Sequence, residues 1–169
     1  MKKTFPFFPL FFIFLFFGCG YKPSSVYQKK ILGYNIKPVV NIDPKNPRET
    51  IFLKDAVNDA IYTVLGSNVC YKNCDTVMEV SASSSSISPL DYDKNGLPIL
   101  YRSKVVLNVT LTDKNKKVRK YTVSGIYDFK ISTDSVLTDQ TKLNAFKQAS
   151  LNAINKLLAE ITKDGINDN

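Results

Sequence analysis

Apolar and polar residues alternate along two neighbouring segments in the middle of the chain. The segment from Ile99 to Thr112 alternates, with Val106 as the exception among the positions that define the two sides. One side has Tyr101, Val105, Leu107, Val109 and Leu111, and the other has Arg102, Lys104, Asn108, Thr110 and Thr112. The segment from Arg119 to Ile131 repeats the alternation after a charged turn, Asp113 to Lys117. Period-two alternation predicts strands that place one face on a core and the other in water, as in antiparallel sheets.

Two further segments carry apolar residues at helical spacing. From Glu49 to Leu65 the apolar positions share one stripe with a period of about 3.6 residues, and Gly66 is placed to end the helix. A second stripe predicts a helix from Asp139 to Lys163, after which residues 165–169 form a polar tail.

The remaining predicted elements complete one domain over residues 31–164. Tyr34 to Ile42 reads as a strand at an edge, because Pro38 cannot donate to a ladder. Thr76 to Ser88 reads as another strand, and the turn from Asp91 to Gly96 contains the hairpin signal Asn-Gly. The order β-α-β-β-β-α predicts an α+β two-layer sandwich, with two helices on one face of a four-stranded, mostly antiparallel sheet. The other face is polar, and it is either solvated or covered by a partner.

The first 18 residues differ in composition from the rest of the chain. They hold eight of the 11 phenylalanines, most of them in the apolar run from Phe5 to Phe17. A helix that spans a membrane needs about 20 apolar residues, so this run is too short. The preceding Lys2 and Lys3 and the small residue Gly18 therefore predict a secretory signal peptide over residues 1–18.

The end of this segment, Leu15 to Cys19, resembles the bacterial lipobox. The resemblance implies cleavage before Cys19 and a di- or triacylated Cys19, with palmitate among the attached lipids. Phe16 and Phe17 depart from the Leu and small residue that the pattern prefers, so cleavage nearby, with Cys19 lost or free, is the alternative. Gly20 stands where many proteins retained at the inner membrane have Asp, which favours the outer membrane. Residues 19–30 then form a lipidated N-terminus and a tether.

The net charge limits the kinds of binding partner but does not identify one. Loss of Lys2 and Lys3 lowers the basic count from 23 to 21 against 15 acidic residues, so the mature net charge is +6. Outside the cytoplasm a basic protein would meet phosphorylated lipids, anionic glycans or an acidic protein surface rather than nucleic acid. Plain solubility is the simpler explanation of the same charge.

Cys70 and Cys74 lie four positions apart in the loop after the first predicted helix. In an oxidising compartment this pair is a candidate intramolecular disulfide. An intermolecular bridge remains an alternative. A metal site would lack further soft ligands, and the spacing differs from the redox C-x-x-C motif.

Catalysis is not expected. The absence of histidine excludes a His-based triad and a His metal site, and no Gly-x-Ser-x-Gly elbow occurs. The candidate acids are without a predictable catalytic partner, and Asp91 and Asp93 occupy a turn where Asp is common for backbone reasons. These acids are Glu79, Asp91, Asp93, Asp113 and Asp128. No cofactor is implied.

The chain resembles the LptE family of lipopolysaccharide-assembly lipoproteins over nearly its whole mature length. The resemblance is carried by the start Cys19 to Pro23, the helix around Asp55 to Ile61, the strand Tyr101 to Asp113 and the strand Ser124 to Phe129, with a long closing helix in the same order. The phenylalanine-rich lipobox, the Cys70–Cys74 pair and Pro38 depart from the family.

This resemblance implies an outer-membrane lipoprotein, anchored by lipid at the periplasmic face, that plugs and helps to assemble the LptD β-barrel and assists insertion of lipopolysaccharide into the outer leaflet. Charge suggests Arg102, Lys104, Arg119 and Lys120 as lipopolysaccharide contacts, although an ordinary solvated face explains them equally. A different lipoprotein of similar α/β build that activates a cell-wall synthase is the first alternative, and a periplasmic enzyme is the second.

Overall fold

The computed structural model describes residues 24–44, 46–132 and 136–167. Within them the elements are α1 (Ser24–Leu32), β1 (Asn35–Val40), α2 (Pro47–Thr63), β2 (Asn68–Val69), β3 (Thr76–Tyr92), β4 (Pro98–Asp113), β5 (Val118–Lys130) and α3 (Asp139–Asn167). The sheet order is β2-β1-β3-β4-β5, and the helices pack on one face. The predicted α+β class is confirmed, with five strands in place of four.

The first strand is an edge for only part of its length. β1 runs parallel to β3 on one side and to the two-residue strand β2 on the other. Cys70 donates its N–H to the carbonyl of Ile36. The backbone N–H and C=O groups of the even-numbered residues of β1 therefore point toward β2. Pro38 therefore points its ring nitrogen to the side where β2 has already ended. Its missing donor breaks no ladder hydrogen bond, which is why proline is tolerated there.

Part of the predicted tether is wrong, because residues 24–32 form helix α1. Ile31 and Leu32 join the hydrophobic core, at 5% and 1% exposure. The Gln28 side chain donates a hydrogen bond from Nε2 to Oγ1 of Thr162 in α3, at 3.0 Å. This segment is part of the domain because it covers the C-terminal half of α3.

The closing helix also extends further than predicted. α3 continues to Asn167, so the expected polar tail is helical through that residue. Gly165 is buried against α1, where an added Cβ would lie 2.8 Å from the carbonyl oxygen of Tyr27. Contact with a helix that the sequence pattern did not reveal stabilises this last turn.

The predicted apolar stripes and alternations build one continuous core. α2 buries Leu53, Ala56, Val57, Ala60 and Ile61. β4 buries Val105, Leu107, Val109 and Leu111, none more than 1% exposed. α2 begins two residues before the predicted start, since Pro47 occupies its first turn, where a missing N–H has no cost.

Candidate partner-binding surface

One face of the sheet carries none of the described helices. β4 and β5 pair without interruption from Leu100↔Lys130 to Thr112↔Val118, so their even-numbered side chains share this face. We call it the open face. Its charged members are Lys37, Glu79, Asp91, Arg102, Lys104, Lys120, Asp128 and Lys130. The predicted division of β4 and β5 into an apolar and a polar face is therefore confirmed.

A β-bulge in β3 changes which of its side chains lie on the open face. The pairing shifts between Ala82↔Leu107 and Ser84↔Val106, which leaves Ser83 as the extra residue. The side chains of β3 therefore exchange faces at this point. Ser85 now faces the helices and donates a hydrogen bond from Oγ to Glu49 Oε2 in α2, at 2.9 Å. The alternation of β3 alone did not reveal this change, because the serine run is uniform.

Arg102 is held in place by the neighbouring strand. Its Nε and Nη2 donate to the two carboxylate oxygens of Asp128, at 2.8 and 2.7 Å. The bidentate bond from Arg102 lowers the pKa of Asp128, and the same bond raises the pKa of Arg102. Both side chains remain about two-fifths exposed, so the pair is accessible to solvent and to ligands.

The other three candidate contacts do not lie together. Lys104 and Lys120 are exposed on the open face, on β4 and β5 respectively. Arg119 pairs with buried Leu111 and so points to the opposite side of the sheet. The structure therefore does not bring Arg119 together with the other three candidates, because adjacent residues of a strand point to opposite faces.

The charged turn from Asp113 to Lys117, which connects β4 to β5, contains a structural ion pair. Lys114 Nζ lies 2.5 Å from Asp75 Oδ1. Asp75 Oδ2 also accepts hydrogen bonds from the backbone N–H groups of Tyr34 and Asn35, each 2.9 Å long. The bond from Lys114, followed by these two backbone bonds, lowers the pKa of Asp75 to about 2. Asp75 thus joins the start of β1 to the β4–β5 turn.

Three of the candidate acids accept hydrogen bonds from backbone N–H groups. Asp91 Oδ1 accepts from the N–H of Tyr92 at 2.9 Å. Asp93 Oδ1 accepts bonds from the N–H groups of Asn95 and Leu97 in the β3–β4 turn, both at 2.8 Å. Asp113 Oδ1 accepts from the N–H of Lys117 at 2.9 Å. Over the part of the chain that the structure describes, no group of three or more acidic, cysteine or histidine residues is arranged to hold a metal.

Cys70 and Cys74 are joined in a disulfide, with Cα atoms 5.8 Å apart. The bridge closes the loop between β2 and β3. Tyr71 within this loop is 76% exposed. The bridge lies at the β2 end of the sheet, four strands away from β5.

An exposed apolar region lies at the tip of the β3–β4 hairpin. Leu90, Tyr92 and Leu97 are 40%, 53% and 53% exposed. The turn between the strands is formed as predicted, with Gly96 at a positive φ of 79°. The sequence pattern predicted the turn and the start of β4 to within one residue, but not that β3 would extend to Tyr92.

Three comparisons place this arrangement among known proteins. No protein-family model and no curated protein sequence matches the chain. A protein from Caulobacter crescentus assigned as a lipoprotein superposes with a TM-score of 0.53 at 10% identity, over 85% of this chain and 98% of its own. This chain shares that protein's fold.

Two more lipoproteins of known structure are similar at lower scores. Rare lipoprotein B from Shewanella oneidensis has a TM-score of 0.46 at 13% identity, over 79% of this chain and 97% of its own. Lipoprotein B from Nitrosomonas europaea has a TM-score of 0.43 at 12% identity, over 80% and 88%.

The predicted signal peptide, Cys19 and the first residues of the predicted tether lie outside the described residues. No helix within residues 24–44, 46–132 and 136–167 is long and apolar enough to cross a membrane. Lipid attachment at Cys19 therefore remains a prediction from the sequence.

Proposed function

We propose that the mature protein is a lipid-anchored outer-membrane protein of the periplasmic face that binds inside an LptD-type β-barrel, supports its assembly and assists insertion of lipopolysaccharide into the outer leaflet. The observation that carries the proposal is the open face. Three strands of 13 to 17 residues present hydroxyl, amide and basic side chains on a surface that no described helix covers. A polar β-rich surface suits the water-filled lumen of a large barrel.

The charge of the open face supports an anionic ligand or partner. It carries five basic side chains, Lys37, Arg102, Lys104, Lys120 and Lys130, against the three carboxylates of Glu79, Asp91 and Asp128. Phosphate groups, such as those of lipid A, accept strong charge-assisted hydrogen bonds from lysine and arginine. Lys104 and Lys120 make no ion pair with any described residue, whereas Arg102 would have to exchange Asp128 for the ligand.

Co-purification in detergent tests the proposal most directly. We expect the full-length protein, isolated from its native membrane, to bring down a large β-barrel. Recovery of a cell-wall synthase in place of a barrel would overturn the proposal in favour of the synthase-activator alternative. Depletion of the protein should lower both folded barrel and surface lipopolysaccharide, and normal levels of both would contradict the proposed role.

Charge reversal on the open face tests the surface itself. Lys104→Glu combined with Lys120→Glu should reduce lipopolysaccharide binding by about tenfold or more. Lys156→Glu combined with Lys163→Glu, at two exposed lysines of α3, is the matched control with the same change in net charge and should leave binding within about twofold. Equal losses in both variants would show that only overall charge matters.

The anchor is tested separately. Two acyl chains hold a protein durably on a bilayer, with roughly 0.8 kcal/mol for each buried methylene. Cys19→Ala should therefore move the protein from the membrane fraction to the soluble fraction. Unchanged partitioning would refute lipid attachment at Cys19 without bearing on the open face.

We propose a binding role without catalysis. The two turn carboxylates of Asp93 and Asp113 are engaged by backbone N–H groups. Purified protein should accordingly show no hydrolysis of cell-wall or lipid substrates above a denatured sample. Turnover in that assay would support the enzyme alternative.

A further inference from the structure

The outer strand of the sheet, β5, leaves part of its backbone without a partner among residues 24–44, 46–132 and 136–167. Ile131 donates its N–H to Ile99, and Lys117 accepts at its carbonyl from Asp113, so the odd-numbered residues of this segment bond to β4. The even-numbered residues must therefore point their N–H and C=O groups to the outer edge. This parity is independently supported by Asn152 of α3, whose Nδ2 donates to the carbonyl of Ile126 at 2.8 Å.

Only part of this edge is blocked. Exposed edges invite pairing with another chain, and proteins usually cover them. The Asn152 side chain satisfies the carbonyl of Ile126. Beyond it, no described residue bonds to the outward N–H of Asp128 or Lys130. These donors and acceptors recur every two residues, about 6.8 Å apart, which is the repeat of an extended chain.

A groove runs beside this free edge because α3 diverges from β5. The two elements touch at Gly125, where an added Cβ would lie 3.0 Å from the backbone carbonyl carbon of Ala149. Toward the start of α3 the space opens into a cavity of about 470 Å³. Tyr127 and Phe129 form its strand side, while Asn144, Lys147 and Gln148 belong to its helix side.

The groove combines an apolar floor with a basic rim. The rings of Tyr127 and Phe129 stack with centroids 6.1 Å apart, and Tyr127 remains 37% exposed. Lys147 is engaged by Asp59 at 2.7 Å, whereas Lys130 forms no ion pair with a described residue. The described residues that line the groove include these two lysines and no carboxylate. The neighbouring carboxylate of Asp128 is paired with Arg102, so the unpaired charge beside the groove is that of Lys130, which is complementary to an acidic segment.

We propose that the edge of β5 from Ile126 to Lys130, together with this groove, is a docking site for an extended, acidic segment of a partner protein. The segment adds a sixth strand to the sheet through main-chain hydrogen bonds at Asp128 and Lys130. One apolar side chain enters the groove against Tyr127 and Phe129, and a neighbouring carboxylate meets Lys130. The side chain of Lys130 belongs to the open face, so the site adjoins that face, whereas the outward main-chain groups of β5 and the groove beside α3 lie outside it.

A designed peptide tests the site on the full-length protein in detergent. The probe is a peptide of about ten residues in which valine and glutamate alternate, long enough to form one strand. Hydrogen exchange should slow at the amides of Asp128 and Lys130 when the peptide binds. The amides of Tyr127 and Phe129 already bond to β4 and should change little. Absence of binding up to about 1 mM peptide, or protection confined to other strands, would overturn the proposal.

Proline substitutions at two lysines of β5 distinguish edge pairing from a general effect of proline on the strand. Lys130→Pro removes an outward N–H beside the groove, and Lys120→Pro removes an outward N–H from the same strand away from it. The first should weaken peptide binding about tenfold or more, while the second should leave it within about twofold. Equal losses in both variants would contradict the site.

Charge reversal keeps the backbone intact and gives an independent readout. Lys130→Glu should weaken the valine–glutamate peptide and strengthen a valine–lysine peptide of the same length. Unchanged preference would refute the acidic occupant. If the unmodified protein instead forms dimers that Lys130→Pro dissociates in sedimentation experiments, the edge is occupied by a second copy and the partner-peptide proposal fails.

Discussion

The contact between β5 and α3 at Gly125 predicts both the sign and the size of the stability change caused by Gly125→Ala. Without this contact, Gly→Ala in a strand should stabilise a protein by about 0.5 to 1 kcal/mol, because the unfolded chain loses freedom. Here the new methyl group would overlap the backbone of Ala149 and Ala153, which cannot rotate away as a side chain would. Overpacking of this kind costs about 1 to 3 kcal/mol, and rigid backbone atoms place the cost at the upper end. We expect Gly125→Ala to lower the free energy of unfolding by about 2 kcal/mol.

Urea unfolding of the purified mature protein, followed by circular dichroism, measures this loss. For a domain of this length, the loss should lower Tm by about 4 to 8 °C. Ser124→Ala is the matched control, because it changes the adjacent residue on the open face and should stay within about 0.5 kcal/mol. If Gly125→Ala were as stable as the parent, α3 would not lie against the strand as described.

Three further predictions concern charge and cross-linking. Asp75 has a folded pKa of about 2, below its usual 3.8, so its contribution to stability is present above pH 4 and is lost as the pH falls toward 2; Asp75→Asn should remove this part of the acid profile in urea titrations. Replacing Cys70 and Cys74 by alanine should cost about 2 kcal/mol or less, since the bridge closes a short loop, and an unchanged urea midpoint would show that the bridge does not constrain the unfolded chain. Arg102→Ala should raise the pKa of Asp128 toward its usual value in an NMR titration, yet barely change Tm, because the pair is solvent-accessible.

Local patterns predicted most of the regular elements. The alternation in β4 and β5 and the apolar stripe of α2 were visible because one side of each element is buried and the other is in water. These periods also predicted the sandwich class, the β3–β4 turn at Gly96 and the polar face on which Lys104 and Lys120 lie. Such features depend on neighbours a few residues apart, which a sequence displays directly.

Long-range contacts determined what the patterns missed. α1 reads as a polar tether because its ordering depends on α3, through partners such as Gln28 and Thr162 that are 134 residues apart. β2 is two residues long and has no period to recognise. Charge alone could not show that Arg119 and Lys120 lie on opposite faces, whereas the ladder places Arg119 opposite Leu111.

The sequence by itself determined the class of the domain, the composition of its two sheet faces and the prediction of a lipid anchor. Only the tertiary structure decided which cations share a surface, where β3 exchanges its faces and which edge of the sheet lies open beside a groove. The periodicity of buried positions is a property of each segment of the sequence by itself. The ladder register, the bulge at Ser83 and the approach of α3 to Gly125 arise only when distant segments pack together.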